Sequence, residues 1–193
     1  TDKKYLSDQN KSKSLKILRG KDIGRYKIKP VQKYLLKNSK WDNFVKIRTT
    51  PKIIVQNLAY RIVATCDKQH MVLDTVNTVI LNNNDFDHKY ILAILNSQLM
   101  NFYFRYMISN KAELNIHLDE VYLGELPIRK NQKYQKELVK LVNLELKSNG
   151  KDKEILQKID DIVYKIYGIS NKDQRKISLM WFEFDDLIGM FFN

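Results

Sequence analysis

The chain has 193 residues, with 34 Lys+Arg against 22 Asp+Glu and a formal net charge of +12. A hydrophobic content of 44%, with 6 Gly and 3 Pro, excludes a disordered or collagen-like chain. A single cysteine, Cys66, excludes a disulfide framework and a Cys-based zinc finger within the chain.

No apolar run reaches the ~18 residues of a membrane span, so the expectation is a cytoplasmic protein with no membrane partner. The sequence opens on Thr1 and reads as a piece of a longer protein. Its length fits one domain, or one domain with a helical appendage.

The charge is unevenly placed. Residues 1–57 carry 16 Lys+Arg against 4 Asp+Glu, which matches the whole excess of +12. A polyanion contacted mainly by the N-terminal part is the natural partner.

In chain order, residues 1–14 are polar and Lys/Ser/Asn-rich and read as a linker or mobile arm. Short β-branched and aromatic runs follow at 15–18, 34–36, 44–47, 52–55, 61–65 and 71–81, predicting strands. Asp87 is placed to cap a helix running to about Met107, with Phe86 as a hydrophobic staple against Ile91. Leu126-Pro127-Ile128 predicts a short extended segment.

Two helices are predicted at 133–148 and 152–167, divided by Ser148-Asn149-Gly150. Ile155, Ile159, Ile162 and Ile166 form a heptad-like seam that suits packing on the domain. Ser170 and Asp173 predict the start of a third helix, and the apolar tail at 180–192 predicts a cover for a groove.

The catalytic inventory is thin. The six glycines form no Gly-x-Gly phosphate loop, and His70, His88 and His117 are isolated. No metal or catalytic residue is assigned. Cys66 reads as a small strand residue. Glu145-Leu146-Lys147 has a nuclease-like spacing, but on a helix it reads as a solvated face. Asp160-Asp161 points to two different helix faces.

Recognition chemistry remains. Lys16, Arg19, Gly20, Lys21, Arg25, Lys27 and Lys29 suit phosphate contacts. Arg48, Thr49, Thr50, Lys52, Gln56, Asn57, Tyr60, Arg61 and Asn77 are residue types that read base edges.

Several segments in order resemble one family. They are Leu18-Arg19-Gly20-Lys21-Asp22-Ile23-Gly24-Arg25-Tyr26, then Ile53-Ile54-Val55 with Arg61 and Asp67, then Leu73-Asp74-Thr75 and Val79-Ile80-Leu81. Ile94-Leu95-Asn96-Ser97 with Leu99 follows, then Glu113-Leu114-Asn115-Ile116, Leu126-Pro127-Ile128, and the helix from Ile159 to Gly168. Together they resemble the TaqI-like C-terminal specificity domain, the target recognition domain of fused adenine methyltransferase–restriction enzymes.

The resemblance implies an α+β chain: a mixed, mostly antiparallel β recognition domain with a central helix, followed by a C-terminal helical appendage. The expected division is 1–14 arm, 15–130 recognition domain and 131–193 helical segment. The implied partners are double-stranded DNA and an N-terminal methyltransferase domain of the same polypeptide. This piece would hold no cofactor; the parent would use S-adenosylmethionine, and Mg2+ if it also cuts. Two rival readings are an assembly module docking through its C-terminal helices and apolar tail, and a nuclease using Glu145 and Lys147.

Overall fold

The computed structural model describes residues 5–11, 14–36, 50–82, 84–109 and 116–192, with side chains for all of these except 116 and 182–192. The strand expected at 44–47, the base-reading candidates Arg48 and Thr49, and Glu113-Leu114-Asn115 lie outside the described residues.

The first half forms β1 (Leu6–Ser7), β2 (Leu15–Leu18), β3 (Ile23–Gly24), β4 (Lys27–Ile28), β5 (Tyr34–Leu35), β6 (Lys52–Gln56), β7 (Leu58–Ala59), β8 (Ala64–Asp67), β9 (Met71–Val72) and β10 (Val76–Val79). Then come α1 (His88–Asn96), α2 (Gln98–Tyr103), β11 (Ile116–His117), α3 (Glu120–Gly124), α4 (Gln132–Ser148), α5 (Lys153–Tyr167) and α6 (Asn171–Phe192). The class is α+β, with mixed and mostly antiparallel sheets.

The run from Lys52 to Val55 does not alternate in polarity because both faces of β6 are covered. β6 is the middle strand of an antiparallel sheet ordered β10-β6-β8. Successive side chains on a strand point to opposite faces, so Ile53 and Val55 enter the main core with α1, while Ile54 joins Leu18, Ile23, Val72 and Val76 in a second core. Fully burying each such side chain contributes about 1.5–3 kcal/mol.

A second sheet, ordered β1-β5-β2-β9, carries the remaining core of Ile17, Leu35 and Met71. Its β2–β9 pair is parallel and the other pairs are antiparallel.

α1 is buried from Tyr90 through Asn96, as a helix covered on all sides must be. Asp87 caps it by accepting the Lys89 N–H at 2.7 Å. Phe86 stacks on the ring of Tyr90 at 6.0 Å and packs against the core that contains Ile91.

The helix predicted to run unbroken to Met107 instead divides at Ser97, whose backbone is extended. Ser97 Oγ caps α2 by accepting the Met100 N–H at 3.1 Å, and a π-helical turn, Phe104–Ile108, closes the segment. Likewise the strand expected over 71–81 is split by a turn at Asp74-Thr75 into β9 and β10.

α4 and α5 follow the predicted boundaries within a residue. Asn149 (φ 58°) and Gly168 (φ 70°) end them in the left-handed region. The seam of α5 packs as its spacing requires: Ile159, Ile162 and Ile166 are buried in the core shared with α1 and α4.

α6 starts where Ser170 accepts the Asp173 N–H at 3.2 Å. It lays Ile177 and Trp181 against this chain's own core, and Ser178 Oγ donates to Gln98 Oε1 at 3.3 Å. Residues 126–128 form no strand; Tyr167 Oη donates to the Pro127 carbonyl and accepts the Arg129 N–H, tying this segment to α5. Among the described residues no helix is long and apolar enough to cross a membrane.

Candidate nucleic-acid interface

β2 leads into a one-turn helix, Gly20–Asp22, and then into the β3–β4 hairpin. Asp22 organises this entry. Its carboxylate accepts the Arg19 backbone N–H and both the Nε and Nη2 groups of the Arg19 guanidinium, each at 2.9 Å. Burial pushes the Asp22 carboxyl up, but these bonds and the Arg19 charge outweigh it and hold it below the ordinary carboxylate value. Arg19 is therefore neutralised within the protein.

Gly20 has a structural reason too. Its N–H donates to Thr75 Oγ1 at 3.0 Å, and a Cβ there would meet the Thr75 carbonyl at 2.9 Å. The hairpin turn is Arg25-Tyr26. Tyr26 has φ 56°, its ring is buried, and its N–H donates to the Ala64 carbonyl at 3.0 Å. Arg25 Nη2 donates to the Asn96 carbonyl at 2.7 Å. Arg19, Gly20 and Arg25 thus hold the entry motif in place, while Lys16, Lys21 and Lys29 point their charges outward.

The base-reading candidates separate in the same way. Lys52 is 1% exposed, and its Nζ lies 2.9 Å from Asp67 Oδ2. This is a correction: its charge is paired inside the protein and is not presented to a base. Asn57 Nδ2 donates to the Asp74 carbonyl at 3.3 Å, its carbonyl accepts the Leu118 N–H at 2.6 Å, and Asn77 Nδ2 donates to the Leu118 carbonyl. These two asparagines join the β9–β10 turn to the strand regions beside it. Asn77 faces a concavity shared with Asp74 and Glu120, where the charge is acidic. Thr50 is exposed, two residues before β6 begins.

The remaining candidates converge. A groove of about 500 Å³ is lined by Arg25, Lys27 and Lys29 of the entry hairpin and by Gln56, Tyr60 and Arg61 of the β6–β8 connection. Residues some 30 positions apart come together because Tyr26 and Ala64 bond the hairpin turn to β8. Gly150 and Leu156, which sequence reasoning did not select, line the same groove.

The Leu-Asn-Ser segment supports the wall from behind. Asn96 Oδ1 accepts the Ala64 N–H at 3.1 Å and its Nδ2 donates to the Ala64 carbonyl at 2.9 Å, so one side chain pairs with β8 as a neighbouring strand would. Asn101 Oδ1 does the same for the Ile62 N–H at 2.7 Å. Buried backbone groups at the end of β8 are satisfied by these two amides.

Other titratable groups belong to the interior. Asp67 accepts from Lys52 and from His70 Nδ1 at 2.8 Å; burial raises its carboxyl, but those partners prevail and hold it well below the usual range. Burial pushes the Cys66 thiol up to about 12, which keeps it un-ionised.

Glu145, read in sequence as part of a solvated face, is 0% exposed. Burial raises its carboxyl, against the lowering effects of the Ser148 hydroxyl and the Asp152 N–H. Burial also raises Asp160 to about 6, against the lowering effects of the Gln98 N–H and the Arg25 charge. Among the described residues no group of three or more His, Cys, Asp or Glu side chains is arranged to hold a metal ion.

The groove combines cations with amide, phenol and guanidinium groups on a β scaffold. The profile of the TaqI-like C-terminal specificity domain matches residues 15–128, more than half of the chain, and the chain belongs to that family. A specificity domain is a non-catalytic module, associated with DNA recognition in restriction–modification systems. No curated protein matches the chain.

Proposed function

We propose that the chain recognises a specific sequence in double-stranded DNA, as the specificity domain of a restriction–modification enzyme whose adenine-N6 methyltransferase domain precedes it on the same polypeptide. The observation that carries this reading is the groove, which places Lys27 and Lys29 beside Gln56, Tyr60 and Arg61. Lysines neutralise phosphates and set register. A Gln amide matches the N6/N7 edge of adenine, and an Arg fork matches O6/N7 of guanine.

Exposed Lys16 and Lys21 on the same entry segment extend the cationic surface. The methyltransferase domain would bind S-adenosylmethionine and act on an adenine turned out of the duplex. Mg2+ would be required only by a parent that also cuts.

The test is titration of the chain with a duplex pool at several salt concentrations. About six neutralised phosphates give a log K against log salt slope near −5, and Lys27→Ala with Lys29→Ala flattens it by about 2. Salt-independent affinity would overturn the reading.

A further inference from the structure

The groove has a second wall, supplied by a part of the chain that the family match does not reach. Gly150, in the loop between α4 and α5, and Leu156, in the first turns of α5, line it beside the entry hairpin turn. We propose that this loop and the start of α5 are a DNA-backbone contact, with Lys147, Lys151 and Lys153 as the phosphate-binding side chains. The inference rests on the DNA reading above and assigns it a further surface.

The loop is built to a fixed shape. Asn149 and Gly150 both adopt positive φ, at 58° and 74°. The Gly150 N–H donates to the Glu145 carbonyl at 3.1 Å, Ser148 Oγ donates to the same carbonyl at 3.0 Å, and Ser148 Oγ accepts the Lys151 N–H at 3.3 Å. A Cβ on Gly150 would lie 2.3 Å from the Arg25 carbonyl oxygen, so the loop backbone presses directly on the entry hairpin turn. A loop held this rigidly presents its neighbouring side chains at low ordering cost.

Those neighbours are cationic. Lys147, Lys151 and Lys153 are all exposed. Lys153 lies three residues before Leu156, which places the two on neighbouring positions of one helix surface. Of the two acids in the stretch, Asp152 is engaged as the cap of α5, accepting the N–H groups of Glu154 and Ile155 at 3.1 Å. The three loop lysines thereby flank groove-lining Gly150 and Leu156, and extend the cationic surface that Lys27 and Lys29 give the groove.

The experiment compares the 193-residue chain with three variants in binding a pool of 30-bp duplexes with randomised centres, read by fluorescence anisotropy from about 50 to 200 mM salt. The variants are Lys147→Ala/Lys151→Ala/Lys153→Ala, Lys27→Ala/Lys29→Ala, and an equal-charge control, Lys165→Ala/Lys172→Ala/Lys176→Ala, at exposed sites on the far end of α5 and on α6.

The loop variant should flatten the salt slope by nearly 3 and weaken binding at least about tenfold at 100 mM salt, with the control close to wild type. If the loop variant binds like wild type while the hairpin variant loses affinity, the second wall is wrong and the groove reading survives. Equal losses from the loop variant and the control reduce the effect to net charge and overturn the proposal. If the unaltered chain shows no salt-dependent binding, both readings fall. Thermal melting monitors folding, and Lys151→Glu alone, at an exposed site, provides the same test should the triple variant melt early.

Discussion

Lys52 and Asp67 stand directly opposite each other in the β6–β8 register, and their charged ends meet at 2.9 Å with both side chains buried. The pair fastens the central strand of the reading domain to its neighbour. It also removes a lysine from the surface that its residue type alone would have assigned to DNA. Removing one member of such a pair leaves an uncompensated buried charge. Lys52→Ala should therefore cost about 3–5 kcal/mol in urea unfolding, while binding by the folded fraction is unchanged. A stable Lys52→Ala variant with lost DNA affinity would reverse that assignment.

Asp160 makes stability depend on pH in an unusual direction. Its folded-state pKa of about 6 lies above the ordinary 3.8, so the fold favours the protonated form. Its contribution is complete below about pH 4 and is lost as pH rises through about 6. Asp160→Asn keeps an oxygen for the Gln98 N–H and removes the charge. Relative to wild type, the variant should gain stability progressively from pH 4 to 7, by up to about 3 kcal/mol. Urea midpoints at several pH values check this; a constant difference would contradict it. Asp22 and Asp67 act in the opposite sense, since their lowered pKa values give stability that is lost as pH falls below about 4.

Asn96 should be more sensitive than its place on a helix suggests. It satisfies both backbone groups of Ala64. Asn96→Ala strands the buried Ala64 N–H, at a cost of about 1–3 kcal/mol, while the Ala64 C=O keeps the Tyr26 N–H. Hydrogen exchange should show the Ala64 amide losing protection first. Retained protection there would mean another group takes over the pairing.

Gly150 is predicted to tolerate no side chain. Its φ of 74° and the Arg25 carbonyl, which a Cβ would overlap, both oppose alanine, with a combined cost of about 1–3 kcal/mol in thermal unfolding. By contrast, Gly124→Ala meets open space and should be near neutral or stabilising in the same assay.

Much of the fold was legible because local chemistry and tertiary packing agree there. β6 holds the β-branched run Ile53-Ile54-Val55, and α4 and α5 end at residues suited to left-handed caps. The β3–β4 hairpin was missed because its strands have two residues each and its turn uses Tyr26 at positive φ, where Gly or Asn is the usual signal. The break at Ser97 was hidden inside an apolar periodicity that continues across it. Only the tendency of Asn and Ser to bond nearby backbone could have marked it.

At the site, composition alone cannot say whether a cation faces phosphate or an internal carboxylate. Asp22, three residues after Arg19, was the one local sign. Asp67 lies 15 positions from Lys52 and becomes its partner only through strand pairing. Gly150 and Leu156 reach the groove by helix packing, which no short motif encodes.

Sequence reading by the groove is the property on which the proposed function turns. The most direct measurement is selection from a randomised duplex library, run on the chain and on Gln56→Ala and Arg61→Ala. One enriched motif is expected for the unaltered chain, with each substitution relaxing preference at its own position by about 1–3 kcal/mol of discrimination. Uniform recovery of all sequences by the unaltered chain would contradict it.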